Sequence, residues 1–287
     1  MRGIVIRFPL HENFAMMQPY LLPVPFNAMR EPFINIAIQA ARTAGNIIMR
    51  AVDRLDKIQI TEKQPNDYVT EVDQHAEREI IAIIRKAHPN HSIIGEESGE
   101  SVKQGDYTWI IDPLDGTRNF IHGFPHFAVS IAISYKNKIE HGVVYDPVRQ
   151  ELFTASRGKG AELNDRRIRV SKHKTLEESL LGTGFPHRHS PERVTAYVNS
   201  LKALLPFSGD VRRAGAATLD LAYVASGRLD GFWEMGLKPW DIAAGSLLVK
   251  EAGGLVSDFN GAEDYFKTGN IVAANPKILK LLLKHLQ

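Results

Sequence analysis

Two aspartates three positions apart, Asp112 and Asp115, end the apolar run Trp109-Ile110-Ile111 and are followed by Gly116-Thr117. An apolar run that breaks off in an acid, a proline and a second acid reads as a buried strand delivering carboxylates into a turn. Pro113 keeps Asp112 out of helical geometry and removes one backbone donor, so the two carboxylates can converge on one point. Such a convergence suits a metal cation. Gly116 lets another group approach the backbone closely, and Thr117 adds a hydroxyl and opens a helical turn. The same D-x-x-D pattern also describes an Asx-type turn with solvated aspartates, and these residues alone leave both readings open.

Other acids recur at the tips of elements. Ser92-Ile93-Ile94-Gly95-Glu96-Glu97 is a short apolar strand ending in paired acids, and two neighbouring strands could place Glu96 beside Asp112. Thr70 and Asp73 have the spacing of a capping pair, which sets Asp73 in a first helical turn where it complements the helix dipole. Glu234 closes the strand-like Gly231-Phe232-Trp233, and Asp241 begins a helix after Pro239-Trp240. Gly215-Ala216-Ala217-Thr218 opens a further helix, whose small residues would admit an anion to free amides or serve close packing. His187, Arg188 and His189 read as a solvated loop. Gly158-Lys159-Gly160 reads as a hairpin turn, lacking the third glycine of a dinucleotide fingerprint.

These side chains need elements to carry them. Phe33, Ile36, Ala37, Ala40, Ala44, Ile47, Ile48 and Ala51 follow a helical stripe after Pro32, and Val72, Ala76, Ile80, Ile83, Ile84 and Ala87 repeat it after Thr70. Between them Ile58 to Ile60 predicts a short strand and Lys63 to Asp67 a loop. Ala128 to Tyr135 and Ile139 to Tyr145 predict an antiparallel hairpin. Around Lys172 to Glu178 the pattern changes to alternating strand and helix, dividing an N-terminal half (29 to 172) from a C-terminal half (173 to 287) that completes the site. In that second half Leu180 to Gly182, Leu255 to Ser257 and Asn270 to Ala274 read as strands, and Pro191 to Leu205 as a helix. A last helix starts at Pro276.

The chain has 287 residues, 44% of them hydrophobic, enough for one large domain or two intimate halves. Lys plus Arg number 35 against 33 Asp plus Glu, so no like-charge run marks a nucleic-acid or membrane surface. The absence of cysteine excludes disulfides, thiolate ligands and a cysteine nucleophile, and suits a reducing cytoplasm. No apolar run approaches the roughly 20 residues of a membrane span. Residues 1 to 28, broken by Pro9, Pro19, Pro23 and Pro25, read as a disordered extension or a wrongly assigned start, with Met29 as the alternative beginning.

Gly95-Glu96-Glu97-Ser98, Asp112-Pro113-Leu114-Asp115-Gly116-Thr117 and Trp240-Asp241-Ile242-Ala243-Ala244-Gly245, in that order, resemble the inositol monophosphatase family, especially its bacterial members. The resemblance runs from about Met29 to the C-terminus. It implies an α/β fold of the inositol monophosphatase and fructose-1,6-bisphosphatase kind, with alternating α-β-α-β-α layers, and a cytoplasmic homodimer. It implies lithium-sensitive hydrolysis of inositol 1-phosphate and related sugar phosphates with two or three magnesium ions, for which manganese could substitute. Glu96, Asp112, the Leu114 carbonyl, Asp115 and Asp241 would hold the metal, and Glu96 would share in catalysis. Asp73 with Thr117 would orient the attacking water, and the Gly116 and Thr117 amides would take the phosphate. Gly215, Ala216, Ala217, Glu234 and Asp241 would meet the substrate's hydroxyls. Arg118 departs from the small hydroxyl residue most common at that position, which bears on the details of phosphate contact.

Chemistry supports a metal independently. Phosphate monoester hydrolysis needs accelerations up to about 10²¹-fold, whereas general acid-base catalysis supplies roughly 10² to 10⁴. Clustered carboxylates raise one another's pKa unless cations neutralise them, and hard oxygen ligands select magnesium or manganese. A haloacid dehalogenase-type phosphatase is a rival, but its two aspartates stand two apart, not three. Fructose bisphosphatase and nucleotide 3'-phosphatase activities are nearer alternatives. A reading of another class is a protein- or RNA-binding factor, since some bacterial relatives are linked to ribosomal RNA transcription and an RNA polymerase or RNA-associated partner.

Overall fold

The computed structural model describes residues 32–64, 67–101, 103, 105–185 and 191–286. The readings made for residues 1 to 28, for Pro65-Asn66 and for His187 to His189 lie outside them. Helices α1 (Pro32–Val52) and α2 (Glu71–Ala87) flank a hairpin of β1 (Ile60–Gln64) and β2 (Asp67–Thr70), so strand geometry extends into the segment expected to be loop. An eight-stranded sheet follows: β3 (Ser92–Gly95), β4 (Gly99–Ser101), β5 (Tyr107–Asp115), β6 (Ala128–Tyr135), β7 (Lys138–Asp146), β8 (Glu151–Ser156), β9 (Gly160–Leu163) and β10 (Arg166–Arg167). The short α3 (Thr117–Ile121) connects β5 to β6, and the strand order is β10-β9-β8-β7-β6-β5-β3-β4. The second sheet holds β11 (Leu180–Thr183), β12 (Asp210–Arg212), β13 (Gly231–Glu234), β14 (Leu255–Ser257) and β15 (Ile271–Ala274), in the order β12-β11-β13-β15-β14. Its connections carry α4 (Pro191–Leu204), α5 (Ala217–Ala225), α6 (Pro239–Glu251) and α7 (Tyr265–Thr268), and α8 (Pro276–Leu286) closes the fold.

Strand alternation sets the layers, because successive side chains point to opposite faces of a sheet. Trp109 and Ile111 of β5 pack on the α1–α2 side with Ala44, Ile48 and Ile80, while Ile110 between them faces α5 and α6 with Leu221 and Leu248. In the second sheet Phe232 and Ala273 face α5 and α6, whereas Trp233 and Val272 face α4 and α8 with Leu204, Ile278 and Leu282. The result is an α-β-α-β-α stack. The middle helices, covered from both sides, read as apolar all round, with every residue of α6 from Ile242 to Val249 buried.

Two glycines set the position of α6. A Cβ on Gly142 of β7 would come within 2.9 Å of the Ala244 carbonyl oxygen, and one on Gly245 within 2.6 Å of Leu221. The helix therefore lies directly on the first sheet and against α5, which locates Asp241 in its first turn. One core spans both halves of the chain, since strands of the first sheet share it with helices of the second half.

Candidate active site

The first group of acids comes from the ends of β3 and β5. These strands run parallel, Gly95 opposite Ile111, and the Glu96 amide donates to the Ile111 carbonyl at 3.2 Å. Glu96 and Asp112 are thereby neighbours, and a hydrogen bond between their side chains needs a shared proton. The strand does not stop at Asp112 as the sequence suggests. Against β6, Asp112 faces Ser130 and Asp115 faces Ala128, so β5 carries one extra residue around Pro113. Proline cannot donate to the ladder, and the bulge it occupies turns Asp115 toward the same cleft. Asp112 is at once the Asx-type turn and the convergent acid: its Oδ1 accepts from the Leu114 amide at 3.0 Å, yet the residue is only 2% exposed.

Gly116 then adopts φ +89°, and any side chain there would meet the His126 carbonyl oxygen at 2.9 Å. The chain turns immediately into α3, which aims the Thr117 hydroxyl at Asp73 Oδ1 (2.9 Å) and at the Leu114 carbonyl (3.0 Å). Asp73 caps α2 with its other oxygen, accepting from the Thr70 amide at 2.9 Å and from the Thr70 hydroxyl. Arg118 places its guanidinium over the Tyr68 ring, 5.1 Å from the centroid.

Three more elements of the second half complete the cleft. Gly215, Ala216 and Ala217 lead into α5, and Asn119 of α3 ties them to the first half by donating to the Ala214 carbonyl at 3.0 Å and the His126 carbonyl at 2.7 Å. Glu234 ends β13 beside Gly184, where a Cβ would stand 2.0 Å from its carboxyl. Asp241 sits in the first turn of α6 with Oδ2 on the Lys238 amide at 2.7 Å. Glu96, Asp115, Gly215, Ala217, Glu234 and Asp241 all line one cleft of about 300 Å³, while Asp112 and Asp73 lie buried behind it.

The electrostatics follow from this crowding. Burial first, then Glu96, Asp115 and Asp241, hold the Asp112 carboxyl well above the usual range. Burial pushes Asp115 up to about 6, opposed by hydrogen bonds from Thr218 and from the Ala217 and Gly116 amides. Asp241 is raised well above its ordinary value by burial and by Asp115, and Glu234 by burial, Asp220 and Asp115. As these side chains lie, no three acids or histidines among the described residues close a coordination shell, and Asp112, Asp115 and Asp241 each accept from a backbone amide, of Leu114, Thr218 and Lys238. The donor set is nonetheless all oxygen, anionic and mutually repelling, which fits a hard divalent cation.

Several residues of the site escaped the sequence reading. Glu77, one turn beyond Asp73 and 2% exposed, accepts from the Glu97 amide (3.0 Å) and the Ser98 amide (2.7 Å), holding the segment that presents Glu96. Its signal was an acid at i+4 from Asp73 on the face otherwise occupied by Val72, Ala76 and Ile80. Thr218 donates to Asp115 from its amide and its hydroxyl, Asp220 lies buried behind Asp115, and Arg213 faces the cleft. No local pattern marks these three, since each acts on a partner distant in sequence.

Comparison with known proteins decides the family. The inositol monophosphatase family pattern matches residues 29–287. The chain belongs to the inositol monophosphatase family. Among curated relatives, the Nus factor SuhB of Pseudomonas aeruginosa is 59% identical over 261 residues, covering 90% of this chain and 96% of that protein. A crystal structure of the extragenic suppressor protein suhB from Bartonella henselae superimposes with TM-score 0.87 at 44% identity, covering 90% of this chain and 99% of that one. The structure of inositol monophosphatase from Anabaena gives TM-score 0.79 at 39% identity, covering 88% and 94%. The layered fold is thus the one this family shares with fructose bisphosphatase-type enzymes. Among the described residues no helix is long and apolar enough to cross a membrane.

Proposed function

We propose that this member of the phosphatase family hydrolyses inositol 1-phosphate and related sugar phosphates, using magnesium and a water nucleophile. The observation that carries the reading is the meeting of Glu96 at the end of β3, Asp112 and Asp115 of β5 and Asp241 of α6 beside the hydroxyl of Thr117. In this reading Glu96, Asp112, the Leu114 carbonyl, Asp115 and Asp241 hold two or three magnesium ions, or manganese in their place. The bound metal supplies a water of lowered pKa and charge to stabilise the leaving alkoxide oxygen. Thr117, donating to Asp73, keeps lone pairs to accept from that water and orient it. The Gly116 and Thr117 amides receive the phosphate, and Gly215 to Ala217, Glu234 and Asp241 meet the hydroxyls. Buried Asp73 holds the relay in place, and Glu77 fixes the loop bearing Glu96. Family resemblance further supports a lithium-sensitive homodimer, and the lack of cysteine suits the cytoplasm.

The test is phosphate release by purified protein from inositol 1-phosphate, fructose 1,6-bisphosphate and adenosine 3',5'-bisphosphate, with magnesium and with chelator. Preference for inositol 1-phosphate, lost with chelator, is the expected result. Preference for either bisphosphate would replace the substrate assignment. A second role, as a factor in ribosomal RNA transcription with an RNA polymerase or RNA-associated partner, is supported by the name Nus factor carried by the Pseudomonas aeruginosa relative. Binding to purified RNA polymerase or to ribosomal leader RNA, measured with an inactive variant, separates that role from catalysis.

A further inference from the structure

Thr218 is fully buried in the first turn of α5, and its side chain does not turn back onto its own helix. It reaches Asp115, 103 positions earlier, where its amide donates to Oδ2 at 2.8 Å and its hydroxyl donates to the same oxygen at 2.5 Å. A carboxylate offers about four lone-pair positions, two on each oxygen. The two Thr218 donors fill Oδ2, and the Ala217 and Gly116 amides also bond this carboxylate, so Oδ1 is the oxygen that Asp115 has left to present to the cleft.

We infer that Thr218 sets the cation preference of the site, by restricting Asp115 to one ligating oxygen. The inference rests on the metal reading given above. Magnesium demands near-ideal octahedral coordination, with one oxygen at each position, whereas calcium takes six to eight oxygens and accepts carboxylates through both. An aspartate locked to one oxygen therefore suits the smaller ion and denies calcium the second contact. Partners that orient a metal's ligands in this way typically change affinity by about 10 to 100-fold when removed. A packing role alone would be met by valine, which has the shape of threonine without the donor. The hydroxyl geometry distinguishes the two: packing needs the methyl group and the branched shape, and the cation preference needs the oxygen.

The experiment measures magnesium and calcium affinities of the intact protein by calorimetry, and the thermal shift each ion produces, for the wild type, T218V, T218A and T218S. T218V and T218A should move the calcium-to-magnesium affinity ratio toward calcium by about 10-fold, and T218S, which keeps the hydroxyl, should stay near the wild type. T218A serves the same comparison if valine disturbs folding. An unchanged ratio in folded T218V or T218A overturns the inference, as does T218S behaving like T218V. A wild type that binds neither ion overturns the metal reading itself, an outcome distinct from a wild type that binds magnesium with a ratio insensitive to residue 218.

Discussion

The Thr117 hydroxyl donates to Oδ1 of Asp73 at 2.9 Å, while Oδ2 of Asp73 is held by the amide and hydroxyl of Thr70. Capping a helix and serving the cleft are thus not competing roles for Asp73, because each takes a different oxygen. Burial of this carboxyl raises its pKa, and the donors around it pull the other way. The Leu114 carbonyl, 3.0 Å from the same hydroxyl, competes with the buried acid for its one proton.

Removing that hydroxyl tests the relay. T117V is expected to lower kcat by about 10² to 10⁴, the usual worth of a positioned proton-handling group, with little change in Tm. T117S keeps the oxygen and should stay within a few-fold of the wild type. Near-normal turnover in T117V would remove Thr117 from the mechanism.

Asp115→Asn tests the metal clamp. The Thr218 amide can only donate, so the new side-chain oxygen must face it, and the NH2 group is left toward the cleft, where it repels a cation. Activity should be nearly abolished and magnesium activation shifted to higher concentration, while unfolding remains cooperative. Wild-type turnover at every magnesium concentration would show that Asp115 is no ligand.

How much of this was legible follows from distance along the chain. Asp112, Pro113, Asp115 and Gly116 carry their turn within five positions, such local motifs carry the family resemblance, and the layered fold followed from that resemblance, while helical periodicity marked individual helices. The extension of β5 through Pro113 could not, because a bulge is defined by the partner strand, here Ser130 and Ala128. Glu77 was half legible, sharing a helix face with Asp73 but accepting from amides twenty positions on. The bonds of Thr218 to Asp115 and of Asn119 to Ala214 were silent: each spans nearly a hundred residues or more, and neither residue type has a periodicity that announces such a partner.

His126 gives the pH dependence. Burial, with Arg149 adding to it, lowers its pKa to about 4, and its Nε2 is buried without a hydrogen-bond partner. The unfolded chain therefore binds the proton near the ordinary 6.5 while the folded chain does not, so stability is lost as pH falls from about 6.5 toward 4. The loss amounts to about 3 kcal/mol at the lower end. The acids of the cleft, with raised pKa values, act in the opposite direction, so the informative quantity is the difference between wild type and H126L. Urea unfolding at pH 7 and pH 4.5 should show a smaller acid-induced loss in H126L. An identical loss in both would mean that His126 is protonated in the folded state.

Glu234 tests the substrate assignment. It ends β13, half-buried in the cleft, with Gly184 leaving room for its carboxyl and Asp220 and Asp115 near enough to raise its pKa beyond what burial does. A carboxylate there can accept from the hydroxyls of a polyol, and such a site discriminates because the wrong ligand leaves its buried group unpaired. Glu234→Gln keeps the shape and one acceptor oxygen but loses the charge. It should lower kcat/KM for inositol 1-phosphate by about 1 to 3 kcal/mol, the worth of a hydrogen bond to a charged group. Hydrolysis of para-nitrophenyl phosphate, which has no hydroxyls to meet, should fall much less, since the metal and phosphate positions are untouched. Equal losses on the two substrates would move Glu234 into the metal shell or the folding of β13, and no loss on either would leave it without a part in recognition.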